Sequence, residues 1–243
     1  MLNFCTSGIS FRRPAACLCD SMNRANTQLR SRLQQVRLCV ITDRALSRGR
    51  GVQEVVSAAI RGGAQMIQFR DKELPDGEFY RVAADLRELT RKADVLLTID
   101  DRVDVAMAVG ADGVHLGGKD LPLAAARALT GPEMILGASA RTEQGVRLAQ
   151  RNGADYLGLG AMFPTGTKGD AVHVGPERLR QLRPSIRIPV LAIGGITAEN
   201  VEAVIRAGAD GVAVIGAVVG ADDVASAAGR IAREIHRVFL EMG

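Results

Sequence analysis

Residues 110–114 read Gly-Ala-Asp-Gly-Val, and close variants of this phrase occur three more times in the chain. The other copies begin at Gly63, Gly153 and Gly208, so the intervals are 47, 43 and 55 residues. Each copy follows an amphipathic stretch and precedes a short apolar run. Such a glycine is typical of the left-handed residue that ends a helix, and such a run is typical of a buried parallel strand. An interval of about 50 residues is the length of two strand–helix units.

Further apolar runs fall between these copies, so the pattern predicts eight strands. The odd-numbered strands are predicted at residues 38–42, 95–99, 134–137 and 189–193. The helices between strands are predicted at 51–61, 76–92, 102–109, 122–129, 142–152, 176–183, 198–207 and 222–241, with Thr142 and Asp222 as N-caps. Eight alternating units predict an α/β protein with a single (β/α)8 barrel. The alternative is an open doubly wound sheet, but no glycine-rich dinucleotide motif follows the first strand.

The chain has 243 residues, 47% of them apolar, which is enough for one large barrel. Its net charge of +4 comes from residues 1–36, where five arginines face one aspartate, so the remainder is neutral. Aromatic residues make up only 3%, and a neutral body with few aromatics argues against nucleic-acid binding. We expect residues 1–24 to be a disordered tail, or the product of a start codon assigned too early, and residues 25–243 to form the barrel.

The spacing of the four cysteines indicates no disulfide framework. Three of them lie in residues 1–36, and Cys39 lies in a predicted strand, where a lone cysteine usually fills the core. No apolar run reaches the roughly 18 residues of a membrane span. We therefore expect a cytoplasmic protein with no membrane partner, and we leave a homo-oligomer open.

Carboxylates follow two neighbouring predicted strands. Asp100 and Asp101 come directly after an apolar run, and Asp120 follows the next run, residues 113–116. Since barrel active sites lie at the C-terminal ends of the strands, these acids should meet there. Mg²⁺ is usually held by one or two carboxylates plus phosphate oxygens. We predict that Asp101 and Asp120 hold Mg²⁺ carrying a diphosphate; the alternative is that each acid caps a helix.

The end of the second strand is cationic. Residues 68–72 read Gln-Phe-Arg-Asp-Lys. Strand alternation points Gln68, Arg70 and Lys72 in the same direction. Two cations and an amide that face one centre suit a polyanion, although a salt-bridged rim would show the same pattern.

Hydroxyls and glycines follow the later strands. Ser139 could donate to a phosphate or cap a turn, and we expect no histidine or aspartate beside it that would make it a nucleophile. His115 is interpreted as a core histidine. Glycines at 194–195 and 216 fall where loops 7 and 8 cradle phosphate in this fold. The connection 161–175 is long enough to be a functional lid. The sequence thus predicts two anion sites, which suits joining two phosphorylated small molecules with loss of diphosphate.

Taken together, these motifs resemble the thiamine-phosphate synthase family over about residues 37–235. The matching stretches are residues 41–43, 68–72, 101–104, 110–117, 120–122, 164–168 and 192–196. The resemblance implies a Mg²⁺-dependent transferase in thiamine biosynthesis with small-molecule substrates. It would condense 4-amino-2-methyl-5-(diphosphooxymethyl)pyrimidine with a thiazole phosphate to give thiamine phosphate and diphosphate.

The resemblance also implies roles for individual residues. Mg²⁺ would lie on Asp101 and Asp120, and catalysis would depend on Arg70, Lys72 and Lys168. The residues implied to bind the pyrimidine diphosphate are Gln68, Phe69, Arg70, Asp71, Lys72, Asp100, Ser139 and Lys168. The residues implied to hold the thiazole phosphate are Thr165, Gly166, Thr167, Gly195, Ile215 and Gly216.

Four positions depart from the family's usual pattern. Asp100 stands where the family usually has Asn, and it adds negative charge beside a diphosphate unless it binds metal or is protonated. Gly216 stands where Ser is common, which removes a hydroxyl from the phosphate site. Gly118 and Arg141 stand where Gln and His are frequent. These changes concern substrate contacts and leave the fold as expected.

Other functions remain open for such a barrel. A thiazole tautomerase of the same fold needs no diphosphate site, so Arg70, Lys72 and the two aspartates favour the synthase. A non-catalytic barrel that binds a phosphorylated ligand would account for Asp100 and Gly118, and Mg²⁺-dependent turnover would distinguish it from an enzyme. A sugar-phosphate isomerase would need an acid–base pair, which the sequence does not indicate.

Overall fold

Eight parallel strands close into a barrel in the computed structural model, which describes residues 26–165 and 174–243. The strands are β1 (Leu38–Ile41), β2 (Met66–Phe69), β3 (Leu96–Asp100), β4 (Gly113–Leu116), β5 (Ile135–Ala140), β6 (Tyr156–Gly160), β7 (Val190–Ile193) and β8 (Gly211–Val214). Each strand pairs with the next, and β8 pairs with β1 through Leu38 and Val212. The predicted (β/α)8 barrel is confirmed, and closure excludes the open sheet.

Helices alternate with these strands. They are α1 (26–34), α2 (Val52–Arg61), α3 (Asp76–Lys92), α4 (Val103–Val109), α5 (Leu123–Thr130), α6 (Glu143–Arg151), α7 (Gly175–Leu182), α8 (Val201–Arg206), α9 (Gly216–Val219) and α10 (Val224–Met242). The predicted leader, residues 1–24, lies outside the described residues. Within the described part, no helix is both long and apolar enough to cross a membrane.

One predicted helix cap is confirmed and the other is wrong. The Thr142 hydroxyl accepts a hydrogen bond from the N–H of Gly145 and caps α6. At α10 the cap is Asp223, not Asp222, and its carboxylate accepts from the N–H of Ser226 at 2.9 Å. Asp222 instead forms an ion pair with Arg48. Two adjacent aspartates offer the same capping chemistry, so the sequence alone does not distinguish them.

Apolar side chains fill two separate layers. The larger layer lies between the strands and the surrounding helices. The smaller one fills the barrel interior, where Met66, Leu96, Ile135 and Leu191 pack together. The buried thiol of Cys39 also lies in this interior, as predicted for a core cysteine. Leu33 of α1 joins the same cluster, so α1 contributes to the interior layer.

The repeated phrase fastens the N-terminal end of the barrel. In three copies its aspartate accepts a hydrogen bond from a backbone N–H of the preceding odd-numbered strand. The pairs are Asp112 with Leu97 at 2.8 Å, Asp155 with Leu136 at 2.9 Å and Asp210 with Val190 at 2.8 Å. In the remaining copy Gln65 substitutes for the aspartate, and its Oε1 accepts from the N–H groups of Arg37 and Leu38. We call these four contacts the base clasps.

Each acidic base clasp also binds an arginine that precedes the odd strand. The ion pairs are Arg87 with Asp112 at 2.8 Å, Arg127 with Asp155 at 2.6 Å and Arg183 with Asp210 at 3.1 Å. Asp155 binds a second cation, because Arg30 of α1 lies 2.9 Å from it. The carboxylate thus links three parts of the barrel: the helical segment that carries the arginine, the odd-numbered strand after it, and the even-numbered strand that follows the carboxylate. The arginine offsets the negative charge of the buried carboxylate.

Replacing one base clasp should destabilise the fold without touching the site. We expect Asp155→Ala to lower the free energy of unfolding by about 3 kcal/mol, because two arginines and a buried N–H lose their acceptor. Urea denaturation measures this change. The control is Glu88→Ala, which removes an exposed ion pair with Arg91 and should cost no more than about 1 kcal/mol. Equal losses in the two variants would contradict the role of the base clasp.

Candidate functional site

The cationic end of β2 meets the carboxylates that end β3. Gln68 Nε2 donates a hydrogen bond to Asp100 Oδ1 at 2.7 Å. Arg70 Nε and Lys72 Nζ each lie 3.5 Å from Asp100 Oδ2. Lys72 also forms an ion pair with Asp101. The structure therefore brings Gln68, Arg70 and Lys72 to one centre, as strand alternation predicts, and that centre is a rim of ion pairs.

Asp101 and Asp120 follow neighbouring strands. Asp101 has a left-handed backbone, with φ of 61°, and its N–H donates to the carbonyl of His115 in β4 at 2.9 Å. Asp120 folds back on its own loop, where Oδ2 accepts from the N–H of Gly117 at 2.6 Å. Neither α4 nor α5 has a side-chain cap, so the helix-capping alternative for these two acids is wrong.

Negative charge exceeds positive charge among the ion-paired residues of this rim. Asp43 also takes part, with its Oδ2 3.4 Å from Arg70 NH1. The side chains of Asp43, Asp100 and Asp101 are at most 19% exposed, and their ion pairs here are with Arg70 and Lys72. Three sheltered carboxylates against two cations are costly unless a further cation offsets them. Carboxylate oxygens suit a hard cation such as Mg²⁺, although the described residues bring no three metal-ligating side chains together as a complete site.

One donor in the rim is not satisfied. The Nε of Arg70 is buried and makes no hydrogen bond to any residue that the structure describes. Its carboxylate neighbour, Asp100 Oδ2 at 3.5 Å, lies too far away for a good hydrogen bond. A buried guanidinium donor without an acceptor is rare, and an oxygen of an anionic ligand would satisfy it.

A cavity of about 370 Å³ opens among the ends of β5 to β8. Its lining includes five residues that the sequence analysis assigned to substrates, namely Ser139, Thr165, Gly195, Ile215 and Gly216. The short helix α9 begins at Gly216. In barrels that bind phosphate, loops 7 and 8 and a short extra helix form the anion site, which is the arrangement seen here.

Glycine is required at position 195 but not at position 216. Gly195 has φ of 64°, and a Cβ there would lie 2.5 Å from the carbonyl oxygen of Pro164. Asn200 holds this loop, because its Nδ2 donates to the carbonyl of Gly195 at 2.9 Å. At Gly216 the nearest atom to an added Cβ is 3.8 Å away. Packing therefore does not exclude the hydroxyl that this position lacks.

Two other departures from the family pattern differ in their surroundings. Arg141 lines the cavity, so it is placed to contact a substrate there. Gly118 lies in the loop after β4, where an added Cβ would meet nothing within 4 Å. A larger side chain would fit at position 118 without repacking.

Ser139 lies beside a histidine, contrary to the expectation from the sequence. His115 Nε2 is 3.0 Å from Ser139 Oγ, and His115 Nδ1 is 2.9 Å from the hydroxyl of Tyr156. The expectation that no histidine accompanies Ser139 is wrong, because β4 and β5 are neighbours and both side chains enter the barrel. The far nitrogen of His115 meets a phenol rather than a carboxylate, so this is not a hydrolase triad. His115 is buried, as predicted.

Phe69 and Asp71 make structural contacts outside the rim. The Phe69 ring packs on Phe79, with the ring centroids 4.5 Å apart, in the layer outside the barrel. Asp71 pairs with Arg44 at 2.9 Å and accepts hydrogen bonds from the N–H groups of residues 73–74. Burial acts to raise the pKa of Asp71, but these hydrogen bonds outweigh it and lower the pKa below its usual value.

Three predicted site residues, Gly166, Thr167 and Lys168, lie outside the described residues. The same is true of residues 166–173 of the predicted lid. The described start of that connection is fastened to the end of β7, where the N–H of Met162 donates to the carbonyl of Ile193 at 2.9 Å. This contact places Thr165 on the wall of the cavity.

The reading of strand ends missed two positioning residues at the end of β1. Thr42 Oγ1 accepts from the N–H of Arg70 at 2.9 Å and donates to its carbonyl at 3.0 Å, which fixes the backbone of Arg70. Asp43 pairs with the guanidinium of the same residue. Both follow β1 directly, so the rule that was applied to the other strands would have found them.

These observations define a (β/α)8 barrel with an anion site at the C-terminal face of its strands. The family model described as thiamine monophosphate synthase matches residues 38–218. Thiamine-phosphate synthase of Moorella thermoacetica is 50% identical over 201 residues, which cover 82% of this chain and 96% of that protein. The chain belongs to the thiamine monophosphate synthase family, so the resemblance seen in the sequence is confirmed.

Two further relatives agree with this assignment. Thiamine-phosphate synthase of Chloroflexus aurantiacus is 51% identical over 193 residues, covering 79% of this chain and 89% of that protein. The solved structure titled thiamine phosphate pyrophosphorylase from Pyrococcus furiosus matches with a TM-score of 0.80 and 45% identity. That match covers 85% of this chain and 98% of the other.

The ion pairs of Asp100 predict that its charge competes with an anionic ligand. We expect Asp100→Asn to tighten the binding of inorganic diphosphate by roughly threefold to tenfold. The amide oxygen keeps the hydrogen bond from Gln68, while Arg70 and Lys72 lose a competing counter-ion. Isothermal titration calorimetry in the presence of Mg²⁺ measures the change. Asp104→Asn, which alters a surface pair with Arg102, is the control; weaker binding in Asp100→Asn would contradict the competition.

The two loop glycines allow a matched comparison. Gly195→Ala should lower Tm by roughly 5–10 °C, because the new Cβ meets a backbone oxygen and the positive φ becomes strained. Gly216→Ala makes the same chemical change where there is room, and it should leave Tm within about 2 °C. Thermal unfolding followed by circular dichroism measures both. A Tm for Gly195→Ala as high as that for Gly216→Ala would show that loop 7 adapts freely.

Proposed function

We propose that this protein condenses 4-amino-2-methyl-5-(diphosphooxymethyl)pyrimidine with a thiazole phosphate, giving thiamine phosphate and diphosphate in thiamine biosynthesis. Membership of the thiamine monophosphate synthase family supports this transferase activity. The observation that carries it is the buried Nε of Arg70, which has no acceptor among residues 26–165 and 174–243. It lies in a rim of ion pairs that also contains Lys72 and Asp101. With Mg²⁺ to offset its excess negative charge, this rim is suited to a diphosphate, and the cavity at β5 to β8 is suited to a second phosphate.

The first step breaks the bond between the pyrimidine methylene carbon and the diphosphate oxygen, and the electron pair leaves with diphosphate. Negative charge grows on that oxygen in the transition state. Arg70 and Lys72 are placed to stabilise this charge, and they are held in advance by Asp43, Asp100 and Asp101. Preorganised charges of this kind lower the barrier because they need no rearrangement. The aminopyrimidine ring stabilises the cation that remains.

The second step forms the new carbon–nitrogen bond. The lone pair of the thiazole nitrogen attacks the methylene cation, so no protein nucleophile is required. We assign the thiazole phosphate to the cavity at loops 7 and 8, where Gly195 lets the backbone approach the ligand and Thr165 lines the wall. Water must be kept from the cation, which it would trap as an alcohol.

Mg²⁺ is assigned to Asp101 and Asp120. In residues 26–165 and 174–243, no three metal-ligating side chains cluster into a cage. Two carboxylates with diphosphate oxygens and water would then complete the coordination, as is usual for this ion. When bound, Mg²⁺ supplies additional neutralisation of the leaving diphosphate. Lys72, which pairs with Asp101 in this structure, would pair with the diphosphate when Asp101 holds the metal.

Several residue roles rest on the family resemblance alone. These proposals place Gln68, Phe69, Asp71, Asp100, Ser139 and Lys168 at the pyrimidine diphosphate, and Gly166, Thr167, Ile215 and Gly216 at the thiazole phosphate. For Phe69 and Asp71 the contact would be made by the backbone, since both side chains are engaged elsewhere. A cytoplasmic location is also proposed, and the free, buried thiol of Cys39 is compatible with it.

The decisive experiment is a direct assay of the purified protein with both phosphorylated substrates. We expect thiamine phosphate and diphosphate to form in equal amounts, and only when Mg²⁺ is present. Chromatography of thiamine phosphate and an enzyme-coupled assay of diphosphate measure the two products separately. Turnover unaffected by a chelator would contradict the metal assignment, and absence of thiamine phosphate with both substrates and Mg²⁺ would contradict the function.

The proposed role of Asp101 in binding Mg²⁺ is tested best by the substitution Asp101→Asn. The backbone of Asp101 is left-handed, a conformation that Asn tolerates and Ala does not. We expect Asp101→Asn to keep its Tm and to lower kcat/KM by at least about a hundredfold, with partial recovery at high Mg²⁺. Asp104→Asn, three residues along on the surface, should retain full activity. Unchanged kcat/KM in Asp101→Asn would remove this residue from the metal site.

A further inference from the structure

A series of hydrogen-bonded side chains leads from the barrel interior to the substrate face. It begins at Tyr156, whose side chain is fully buried, and passes through His115 to Ser139 at the end of β5. The two contacts measure 2.9 and 3.0 Å, which is the range of good hydrogen bonds. Burial raises the pKa of Tyr156 well above its usual value, so the phenol keeps its proton.

Two glycines make room for these side chains. A Cβ on Gly137 would lie 2.2 Å from the ring of Tyr156, and a Cβ on Gly158 would lie 3.0 Å from the ring of His115. Both glycines lie inside strands, where glycine weakens the strand. The interior is therefore shaped around these two rings, and their contact is not a by-product of loose packing.

The number of available hydrogens determines which group donates and which accepts at each of these contacts. A serine hydroxyl has one hydrogen, and the ionised oxygens of a diphosphate only accept. If Ser139 donates that hydrogen to the ligand, as the proposed function requires, it must accept from His115. The Nε2 of His115 then carries the proton and Nδ1 is the acceptor in the neutral ring. The hydroxyl of Tyr156 must therefore donate to Nδ1 and accept from Thr98, its other hydrogen-bond partner.

We propose that His115 and Tyr156 are positioning residues that hold Ser139 as a hydrogen-bond donor to the diphosphate of the substrate. This inference rests on the proposed function. Tyr156 fixes the tautomer of His115. His115 then donates a hydrogen bond to the oxygen of Ser139, so the serine proton points into the cavity. In the reverse arrangement His115 accepts the serine proton, and the substrate meets an oxygen lone pair instead of a donor.

We call the hydrogen-bonded series Tyr156, His115 and Ser139 the relay. The binding of inorganic diphosphate tests the relay without turnover. Affinity is measured by calorimetry with Mg²⁺ for the wild type, Ser139→Ala, Tyr156→Phe and the double variant. We expect Ser139→Ala to weaken binding roughly tenfold, because it removes the donor. Tyr156→Phe should weaken binding by a similar factor, because His115 then accepts the serine proton. The double variant should bind no more weakly than Ser139→Ala. Losses that multiply, or Tyr156→Phe binding like the wild type, would overturn the relay.

A control separates positioning from packing. Met66→Leu changes the shape of the same barrel interior without removing a hydrogen bond, and it should leave diphosphate affinity unchanged. If it weakens binding as much as Tyr156→Phe does, the effect of Tyr156 is packing and the relay is wrong.

The tautomer can be read in the wild type, even if Tyr156→Phe fails to fold. The chain has three histidines, so nitrogen NMR of the imidazoles is simple, and His115→Gln assigns the ring. We expect a proton on Nε2 and none on Nδ1 in the diphosphate complex. A proton on Nδ1 would overturn the proposal. If diphosphate binding shows the coupling but the wild type makes no thiamine phosphate, the relay stands and the proposed function fails.

Discussion

A carboxylate at the base of the barrel that accepts from a strand N–H and pairs with an arginine is the interaction on which closure depends. It occurs at Asp112, Asp155 and Asp210, and Gln65 provides an uncharged version. A parallel barrel has to fix the register of eight strands that are far apart in sequence. Each base clasp does this locally, because it joins one strand to the next within the same strand–helix–strand unit. The register is set in four steps of two strands each.

Charge is arranged differently at the two ends of the barrel. At the base, Asp112 and Asp210 each pair with one arginine and Asp155 pairs with two, and each aspartate also accepts from a backbone N–H. At the opposite end, within the part of the chain that the structure describes, Asp43, Asp100 and Asp101 share two cations and the Nε of Arg70 has no acceptor. Paired charges stabilise the fold. An excess of one charge instead favours binding of a ligand or ion that carries the opposite charge.

The sequence predicts the barrel well, because its signals are local. The repeated phrase marks four strands, and periodicity marks most helices within one or two residues. The same reasoning found the rim, since strand alternation alone aligns Gln68, Arg70 and Lys72. It failed at Asp222, where an adjacent aspartate has equal capping chemistry, and at α9, which is a single turn. It missed the contact between Ser139 and His115, because this depends on the register of β4 and β5.

The glycines at 137 and 158 bear on how this barrel can change over evolutionary time. An alanine at 137 would collide with the ring of Tyr156, so it could be accepted only after that tyrosine had become smaller. Conversely, a smaller residue at 156 would leave an empty space beside a glycine that cannot fill it. The identities of the two ring residues and of the two glycines therefore constrain one another. Single substitutions among them are disfavoured in either order, so lineages should keep or lose the four positions together.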